Sequence, residues 1–252
     1  MELSGKIALI TGGAGGIGSV ICQKLATYGA QIIATYNSDA QKAESLLATL
    51  PGQGHVVFHA PNTDEEKLSS LARFIENRYG KLDILVNNAG ITTPVAHPDL
   101  EALSDEWIDR IFQTNFRGSF ASIRACKGLL LAAAEDGQSS LVINISSVAA
   151  VTGIGSNVAY CASKAAIDSM TRSLGRALAP KIRVVSVSPG WVLGEYTQNI
   201  DPHYLQQQED LTPLHRLAKP ADVANTVYAL ATSLTFTTGS VIPVDGGRSL
   251  GK

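Results

Sequence analysis

Short apolar stretches, rich in β-branched residues, recur along the chain with longer segments between them. Within each stretch the hydrophobic positions run continuously instead of alternating with polar ones. This pattern is typical of strands that are covered on both faces of a sheet. The stretches predict strands at residues 7–10, 31–36, 55–59, 82–86, 141–145, 182–187 and 240–244.

The segments between these strands have the length and the amphipathic pattern of helices. They predict helices at residues 17–28, 63–78, 104–113 and 160–178, and a further one that begins at residue 220. Thr63 and Glu66 have the spacing of a capping box, which satisfies two amides at a helix start. Ser104 precedes two acidic residues, a combination that suits the positive end of a helix dipole. Pro220 stands where a helix tolerates proline best.

Strand–helix alternation, repeated about six times, predicts parallel βαβ units with right-handed crossovers. We therefore expect a single doubly wound Rossmann-type α/β domain over residues 1–252, with a mostly parallel seven-stranded sheet and helices on both faces. Residues 191–219 have the weakest core pattern. Long irregular segments in compact domains are often lids, so we predict a substrate lid here. A long surface connection is the alternative.

The composition is that of an ordinary globular protein, with 45% hydrophobic and 17% charged residues. The formal net charge is −2 and basic residues form no stripe, which argues against a nucleic-acid partner. Three cysteines without a CxxC pair favour a reducing compartment. Neither a signal-peptide pattern nor an apolar run of about 18 residues occurs, so we expect a cytoplasmic protein without a membrane span. The five histidines are dispersed, so we expect no metal site.

The first predicted strand leads directly into a glycine-rich turn, TGGAGGIG at residues 11–18, and then into a helix. Glycines permit a tight turn and let backbone amides approach a pyrophosphate. The helix N-terminus adds unpaired N–H groups and a partial positive charge. The strand–turn–helix context favours a dinucleotide site, although the spacing is TGxxxGxG and differs from the common GxGxxG.

Six further motifs follow in order. They are NNAG at 87–90, TNFRG at 114–118, NISS at 144–147, YCASK at 160–164, SPG at 188–190 and VDGG at 244–247. With the glycine turn, they make the chain resemble the short-chain dehydrogenase/reductase family, above all members similar to 3-oxoacyl-carrier-protein reductases. The resemblance extends from residue 7 to residue 247 and implies an enzyme with a nicotinamide cofactor.

Tyr160 and Lys164 are four residues apart on a predicted helix, so they share one face. Free tyrosine has a pKa of about 10, too high for an efficient base near neutral pH. A neighbouring ammonium favours tyrosinate and lowers that pKa. In the family the tyrosine is the general acid/base and the lysine also binds the nicotinamide ribose. The resemblance places these roles on Tyr160 and Lys164.

The resemblance assigns two more catalytic roles. In the family a serine polarises the substrate oxygen and an asparagine holds a water that feeds a proton relay; these positions match Ser147 and Asn115. Ser146 is an alternative to Ser147, because adjacent strand residues point to opposite faces and only one can serve. The family spacing to the tyrosine selects Ser147.

The resemblance also implies a cofactor site. The residues assigned to it are Gly12, Gly15, Gly16, Ile17, Gly18, Asn37, Ser38, Asn88, Ala89, Gly90, Tyr160, Lys164, Pro189, Gly190 and Val192.

The end of the second strand bears on the choice between NADP and NAD. An acidic residue there would bind the ribose 2′-hydroxyl of NAD and repel a 2′-phosphate. Here Asn37 and Ser38 follow the strand, and no acid occurs before Asp39. This resembles NADP-using family members, although Gly15 stands where many of them have arginine and only Lys42 is a nearby base. We predict NADP(H), with NAD(H) as the alternative.

Two positions depart from the family pattern. Pro61 and its neighbours replace the aspartate that usually ends the third strand and touches the adenine. Gly194 stands where a threonine commonly contacts the nicotinamide carboxamide, and Thr197 follows three residues later. Both contacts are therefore in doubt, whereas the groups that would transfer protons are all present.

The resulting hypothesis is an NAD(P)-dependent oxidoreductase that moves a hydride between the cofactor and a carbonyl or secondary alcohol. A sugar, polyol or steroid-like substrate is as open as a 3-oxoacyl one. The alternatives are a non-catalytic cofactor-sensing protein, since fold does not fix function, and an epimerase or dehydratase, whose relatives are usually longer. Candidate substrate contacts are Trp191, Tyr196, His203 and Tyr204. The resemblance implies a homotetramer built on segments 103–133 and 158–178 and the C-terminal strand.

Overall fold

A seven-stranded, entirely parallel sheet forms the centre of the protein in the computed structural model, which describes residues 3–134, 138–198 and 200–250. The strand order is β3-β2-β1-β4-β5-β6-β7. The strands are β1 (Ile7–Ile10), β2 (Gln31–Tyr36), β3 (Val56–His59), β4 (Ile84–Asn87), β5 (Ser140–Ile145), β6 (Ile182–Pro189) and β7 (Val241–Val244). This topology confirms the doubly wound Rossmann-type fold, in which the chain reverses direction along the sheet between β3 and β4.

The predicted strands overlap the observed ones and differ at their ends. β4 begins two residues later than its apolar run, because Asp83 anchors the amino edge of the sheet. Its carboxylate accepts from the backbone N–H of Ile7 at 2.9 Å and pairs with Lys6 at 3.0 Å. β6 continues to Pro189, two residues beyond its predicted end, since Ser188 and Pro189 remain in register with β7.

Helices cover both faces of the sheet. They are α1 (Gly16–Thr27), α2 (Ala40–Thr49), α3 (Glu65–Tyr79), α4 (Asp105–Phe112), α5 (Gly118–Ala133), α6 (Ala149–Thr152), α7 (Val158–Ala177), α8 (Pro202–Asp210) and α9 (Pro220–Thr232). A π-helical turn, Gln113–Arg117, joins α4 to α5. Within the described ranges, no helix combines the length and apolarity needed to cross a bilayer.

The capping box predicted for α3 is wrong. The helix begins at Glu65, and the Asp64 side chain accepts from the backbone N–H of Lys67 at 3.0 Å. A carboxylate is a strong N-cap and interacts favourably with the positive end of the helix dipole, so Asp64 takes the position predicted for Thr63. Ser104 is confirmed as the N-cap of α4 and Pro220 as the first residue of α9.

Two apolar cores lie on opposite faces of the sheet. On one face α1 and α9 bury Ile21, Leu25 and Val227 against the strands. On the other, α3, α5 and α7 bury side chains such as Leu71 and Ile167. The three cysteines are buried and unpaired. Covering both faces leaves the carboxyl ends of the strands open, and open α/β sheets bind their ligands at this edge.

Candidate active site

A cleft of about 1520 Å³ runs along the carboxyl edge of the sheet. It brings together most residues that the sequence assigned to the site. These are Gly12, Gly15, Gly16, Ile17, Asn37, Ser38, Asn88, Ala89, Gly90, Ser147, Tyr160, Lys164, Pro189, Gly190 and Val192. Gly18 and Asn115 do not line the cleft, but each contacts residues that line it.

The glycines of the first turn serve two different purposes. A Cβ on Gly13 would lie 2.7 Å from the Cβ of Ala34, and one on Gly18 would lie 2.5 Å from the Gly12 carbonyl oxygen. These two glycines are therefore required for the close packing of α1 against β2 and the turn. A Cβ on Gly16, the first residue of α1, would meet no protein atom within 4 Å. The space beside Gly16 belongs to the cleft.

That open space fits the phosphate groups of a dinucleotide. Gly15 precedes α1 without supplying a side-chain cap, so the amides of the first turn remain available to an anion. The partial positive charge of the helix end favours such a ligand. The residues present therefore fit a pyrophosphate at the start of α1.

Thr11 and Asn88 hold the glycine turn in place. The Thr11 hydroxyl accepts from the backbone N–H groups of Asn88 and Ala89 at 3.0 and 3.1 Å. The Asn88 amide donates to the carbonyls of Thr11 and Gly12 at 3.1 and 3.0 Å. Asn88, assigned to the cofactor from sequence, thus joins the loops after β1 and β4. Thr11 was not among the predicted site residues, although it directly precedes the glycines.

Tyr160 and Lys164 lie on the same face of α7, with the Lys164 ammonium 5.7 Å from the centre of the Tyr160 ring. Lys164 is buried and donates to the Ile145 carbonyl at 2.8 Å. Burial lowers its pKa to about 8, and the carboxyl of Asp168 opposes that change. In its ammonium form the lysine is a cation beside a phenol, and such a cation favours the phenolate.

The backbone of Tyr160 is fixed by Asn157, a residue that the sequence argument missed. Asn157 is the N-cap of α7, and its side-chain oxygen accepts from the Tyr160 N–H at 2.7 Å. Its amide donates to the Thr93 carbonyl at 2.7 Å. The start of α7 is therefore tied to the loop after β4. An asparagine three residues before the tyrosine is the N-cap signal that could have identified it.

Ser146 and Ser147 directly follow β5, and both line the cleft. Ser147 is half-buried, lines the cleft and accepts from the Ala149 N–H at 3.2 Å. Ser146 is buried, and its hydroxyl donates to the Lys164 carbonyl at 3.3 Å. The hydroxyl of Ser147 is thus the more accessible of the two on the side of Tyr160.

Asn115 is fully buried in the π-helical turn. Its oxygen accepts from the Ile91 N–H at 2.8 Å, and its amide donates to the Ile91 carbonyl and the Ser163 hydroxyl at 3.1 and 3.0 Å. The side chain therefore joins the loop after β4 to α7. A Cβ on Gly90 would lie 3.3 Å from the Asn115 oxygen and 3.6 Å from the Lys164 nitrogen, so glycine permits this close approach. Turns of this kind are frequent at functional sites.

The far end of the cleft contains Asn37 and Ser38, both exposed after β2. Asp39 caps α2 by accepting from the Lys42 N–H at 2.8 Å. The Lys42 ammonium forms an ion pair with Glu195, across the cleft on the segment after β6. Glu195 was not predicted, because 153 residues separate it from Lys42.

The two departures from the family pattern have structural counterparts. Asn62, beside Pro61, donates to the Thr114 carbonyl at 2.9 Å and so ties the loop after β3 to the π-helical turn. The Thr197 hydroxyl bonds within its own turn, to the N–H and carbonyl of Gly194 at 3.0 and 2.9 Å. Thr197 therefore does not replace a cleft-lining threonine.

The two ends of segment 191–219 lie side by side and are hydrogen-bonded to each other. Trp191 and Leu193 pair with Ala218 through two backbone hydrogen bonds of 2.8 Å. Between them lie a 3-10 turn and α8. Tyr204 from α8 meets Trp191 edge-on at 5.8 Å, and both line the cleft. His203 is exposed and lies outside the lining, and the side chain of Tyr196 falls outside the described part of the chain.

Comparisons with known proteins agree with this geometry. The family model described as enoyl-(acyl carrier protein) reductase matches residues 12–249. A 3-oxoacyl-[acyl-carrier-protein] reductase of Staphylococcus aureus is 32% identical over 246 residues, covering 96% of this chain and 97% of that protein. The structure of the Pseudomonas aeruginosa RhlG/NADP active-site complex is 33% identical with a TM-score of 0.89, covering 98% of each chain.

A short-chain dehydrogenase/reductase from Serratia marcescens is 31% identical with a TM-score of 0.88, covering 99% of this chain and 100% of that one. The match spans the glycine turn, the cleft and the segment that returns over it. The chain therefore belongs to the short-chain dehydrogenase/reductase family of oxidoreductases.

Proposed function

We propose that this protein reduces a ketone to a secondary alcohol, or catalyses the reverse oxidation, with NADP(H) as cofactor and Tyr160 as general acid/base. The observation that carries the proposal is the arrangement of Ser147, Tyr160 and Lys164 in the same cleft as the open space beside Gly16. The relative solved with NADP and the relative named as a 3-oxoacyl reductase support the same reaction class.

The cofactor would lie along the cleft from Asn37 to Tyr160. The first turn of α1 would hold its pyrophosphate, Lys164 its nicotinamide ribose, and the loop 189–192 its nicotinamide. When bound, the cofactor supplies the hydride that reaches the carbonyl carbon. Segment 191–219 would close over it as a lid, which would exclude water from the reacting groups.

The side chains of this protein handle the proton. Ser147 donates a hydrogen bond to the carbonyl oxygen and holds it beside the Tyr160 hydroxyl. Tyr160 then gives its proton to that oxygen in reduction, and takes it back in oxidation. Lys164 stabilises the phenolate left behind, because a nearby ammonium favours the charged form. In this scheme Asn115 keeps Ile91 and Ser163 in place around the lysine.

Replacing Gly16 with alanine tests the phosphate site. The new Cβ meets no protein atom within 4 Å, so the fold should be unaffected. It would occupy the space that phosphate oxygens need, and we expect NADPH affinity to fall at least about tenfold, or about 1.4 kcal/mol. Isothermal calorimetry measures the change.

The matched control is Gly128→Ala, a position on α5 that is exposed and equally open. It should bind NADPH as the unmodified protein does. Equal affinity in the two variants would contradict a pyrophosphate at the start of α1.

In the NADP(H) proposal, Lys42 is the cation that contacts the 2′-phosphate of the cofactor. Lys42→Gln should weaken NADPH binding about tenfold and leave NADH binding nearly unchanged, because only NADPH carries the extra phosphate. Glu195→Gln should strengthen NADPH binding severalfold, since the carboxylate competes with the phosphate for Lys42. Calorimetric titrations with both cofactors measure these changes.

Lys67→Gln, an exposed lysine on α3, is the control for general loss of charge. If Lys42→Gln changes NADH and NADPH binding by the same factor, Lys42 does not recognise the 2′-phosphate and the preference for NADP(H) loses its basis.

A substrate assay tests the function itself. The purified protein is mixed with NADPH and a short 3-oxoacyl thioester, and then with ketose, cyclic and steroid-like ketones in turn. We expect the nicotinamide absorbance to fall and a secondary alcohol to form with at least one of them. Cofactor binding without any turnover would favour a cofactor-sensing protein instead. If neither cofactor binds, the proposal fails.

We also infer a single domain over residues 1–252, a cytoplasmic location and a homotetramer, on the basis of the family resemblance. Phe120 and Leu131 on α5 and Val158 on α7 are large apolar side chains at least 40% exposed. They lie on the two helices expected to form the subunit contacts, where burial would remove them from water.

A further inference from the structure

A chain of buried polar side chains crosses the centre of the sheet beside α7. The Asn87 amide donates to the Asn144 oxygen, and the Asn144 amide donates to the Thr171 hydroxyl, both at 2.8 Å. The Thr171 and Ser186 hydroxyls are hydrogen-bonded at 2.8 Å. All four residues are buried. Such a chain is unusual in the core of a parallel sheet, which is otherwise filled by aliphatic side chains.

Asp168 lies beside this chain and is 3% exposed. Its two carboxyl oxygens are buried, and neither has a hydrogen-bond partner of good geometry within the described structure. The hydroxyls of Ser146 and Ser186 favour its ionised form, although they are hydrogen-bonded to the Lys164 carbonyl and the Thr171 hydroxyl. Burying a carboxyl without firm partners is unfavourable for folding. A purely structural role therefore explains its presence poorly.

The charged groups that act on Asp168 stand on its own helix. Lys164 lies one turn before it and Arg172 one turn after it. Within the described residues, neither β6 nor the neighbouring segments α4, α6 and the π-helical turn direct a charged group at this carboxyl. The sheet supplies hydroxyls only. Burial raises the pKa of Asp168, and the two serines and the two cations oppose this rise.

Burial changes the pKa of Lys164 in the opposite direction and lowers it. Its burial disfavours the ammonium, and among the described residues the carboxyl of Asp168 is the group that favours it through charge. Other contacts of the lysine nitrogen are neutral, notably the Ile145 carbonyl at 2.8 Å. Lys164 thus faces the Tyr160 ring on the cleft side and a carboxyl one turn deeper in the protein.

We propose that Asp168 is a positioning residue that acts through Lys164: its negative charge keeps the lysine protonated and so sets the pH at which Tyr160 exchanges its proton. This inference rests on the proposed function, in which Tyr160 is the acid/base. Asp168 does not line the cleft, so it would touch neither substrate nor cofactor. The Asp168 carboxylate keeps Lys164 in its ammonium form at a position where burial alone would favour the neutral amine.

The test is the Asp168→Asn variant, which keeps the shape and removes the charge. Without the carboxylate, Lys164 loses its proton more readily and stabilises the Tyr160 phenolate less. We expect the ratio of phenolate to phenol at a given pH to fall about three- to tenfold. The readout is the ¹³C NMR titration of ring-labelled tyrosines, with Tyr160 assigned by its disappearance in Tyr160→Phe. Where turnover is measurable, the alkaline limb of the kcat–pH profile for ketone reduction, in which Tyr160 must be protonated, should move to higher pH.

Thr171→Val is the matched control, because it breaks the same buried chain without changing a charge. It should lower the thermal stability and leave the Tyr160 titration where it was. Should Asp168→Asn fail to fold, Ser186→Ala replaces it: this variant removes one hydroxyl that favours the carboxylate and should move the Tyr160 titration in the same direction by a smaller amount.

An unchanged Tyr160 titration in Asp168→Asn, or an equal change in Thr171→Val, would overturn the inference. If Asp168→Asn does not fold, a Tyr160 titration curve in Ser186→Ala identical to that of the native protein would overturn the inference. The NMR titration needs no substrate. It therefore separates this inference from the proposed function, which fails if Tyr160→Phe keeps full activity.

Discussion

Replacing Tyr160 with phenylalanine is expected to lower kcat by about 10²–10⁴-fold, the range typical of a lost general acid/base. The ring remains, so its packing above Lys164 and the adjoining cofactor site are retained. NADPH affinity should therefore stay within about twofold. Steady-state kinetics and calorimetry measure the two quantities separately.

The matched control is Tyr228→Phe. Tyr228 lies on α9, where its ring packs on Tyr28 at 4.1 Å, away from the cleft. It loses the same hydroxyl and should retain full activity. A Tyr160→Phe variant with undiminished kcat would mean that another group supplies the proton.

Replacing Lys164 with methionine should have the second largest effect. The variant removes the cation that favours the Tyr160 phenolate, and neighbouring charges commonly change a pKa by 1–3. At neutral pH we expect oxidation of the alcohol to slow by about 10–10³-fold. Raising the pH should restore part of the rate, because the phenolate then forms without help from the lysine.

The same variant should be less stable than the unmodified protein. Methionine has a similar length and fills the same space, but the buried Asp168 carboxyl loses its nearby cation. Removing one partner of a buried charge pair is destabilising, so we expect a lower unfolding temperature. Thermal unfolding checks this expectation. Lys67→Met, an exposed lysine on α3, is the control. A pH–rate profile identical to that of the unmodified protein would contradict the role of Lys164.

The sequence predicted the fold because its signals are local. Continuous apolar runs and the intervening amphipathic segments are read within a few residues, and they specify a doubly wound sheet. The two-residue period of a strand did not by itself choose between Ser146 and Ser147, because β5 ends at Ile145 and both serines line the cleft. The start of α3 was misjudged because Thr63 and Asp64 are both good N-caps, and the choice depends on the turn that Asp64 makes with the Pro61 carbonyl.

The parts that could not be predicted depend on contacts between distant segments. Glu195 meets Lys42 only because the segment after β6 passes over the end of β2. Asn115 forms hydrogen bonds with both Ile91 and Ser163 because it lies in the π-helical turn. No local sequence pattern indicates such a turn. Asp168 reads as an ordinary polar residue on a helix, and only the packed structure shows that its carboxyl is buried.

Transfer of deuterium from labelled cofactor tests the central claim most directly. NADPH carrying deuterium at the transferable C4 position is incubated with the protein and the ketone that the substrate assay identifies. Mass spectrometry and NMR of the alcohol then locate the label. The account predicts one deuterium on the carbinol carbon, and at least about a hundredfold less labelled alcohol when Tyr160→Phe is used for the same time. An alcohol without deuterium, formed while the labelled cofactor remains unchanged, would contradict hydride transfer by this protein.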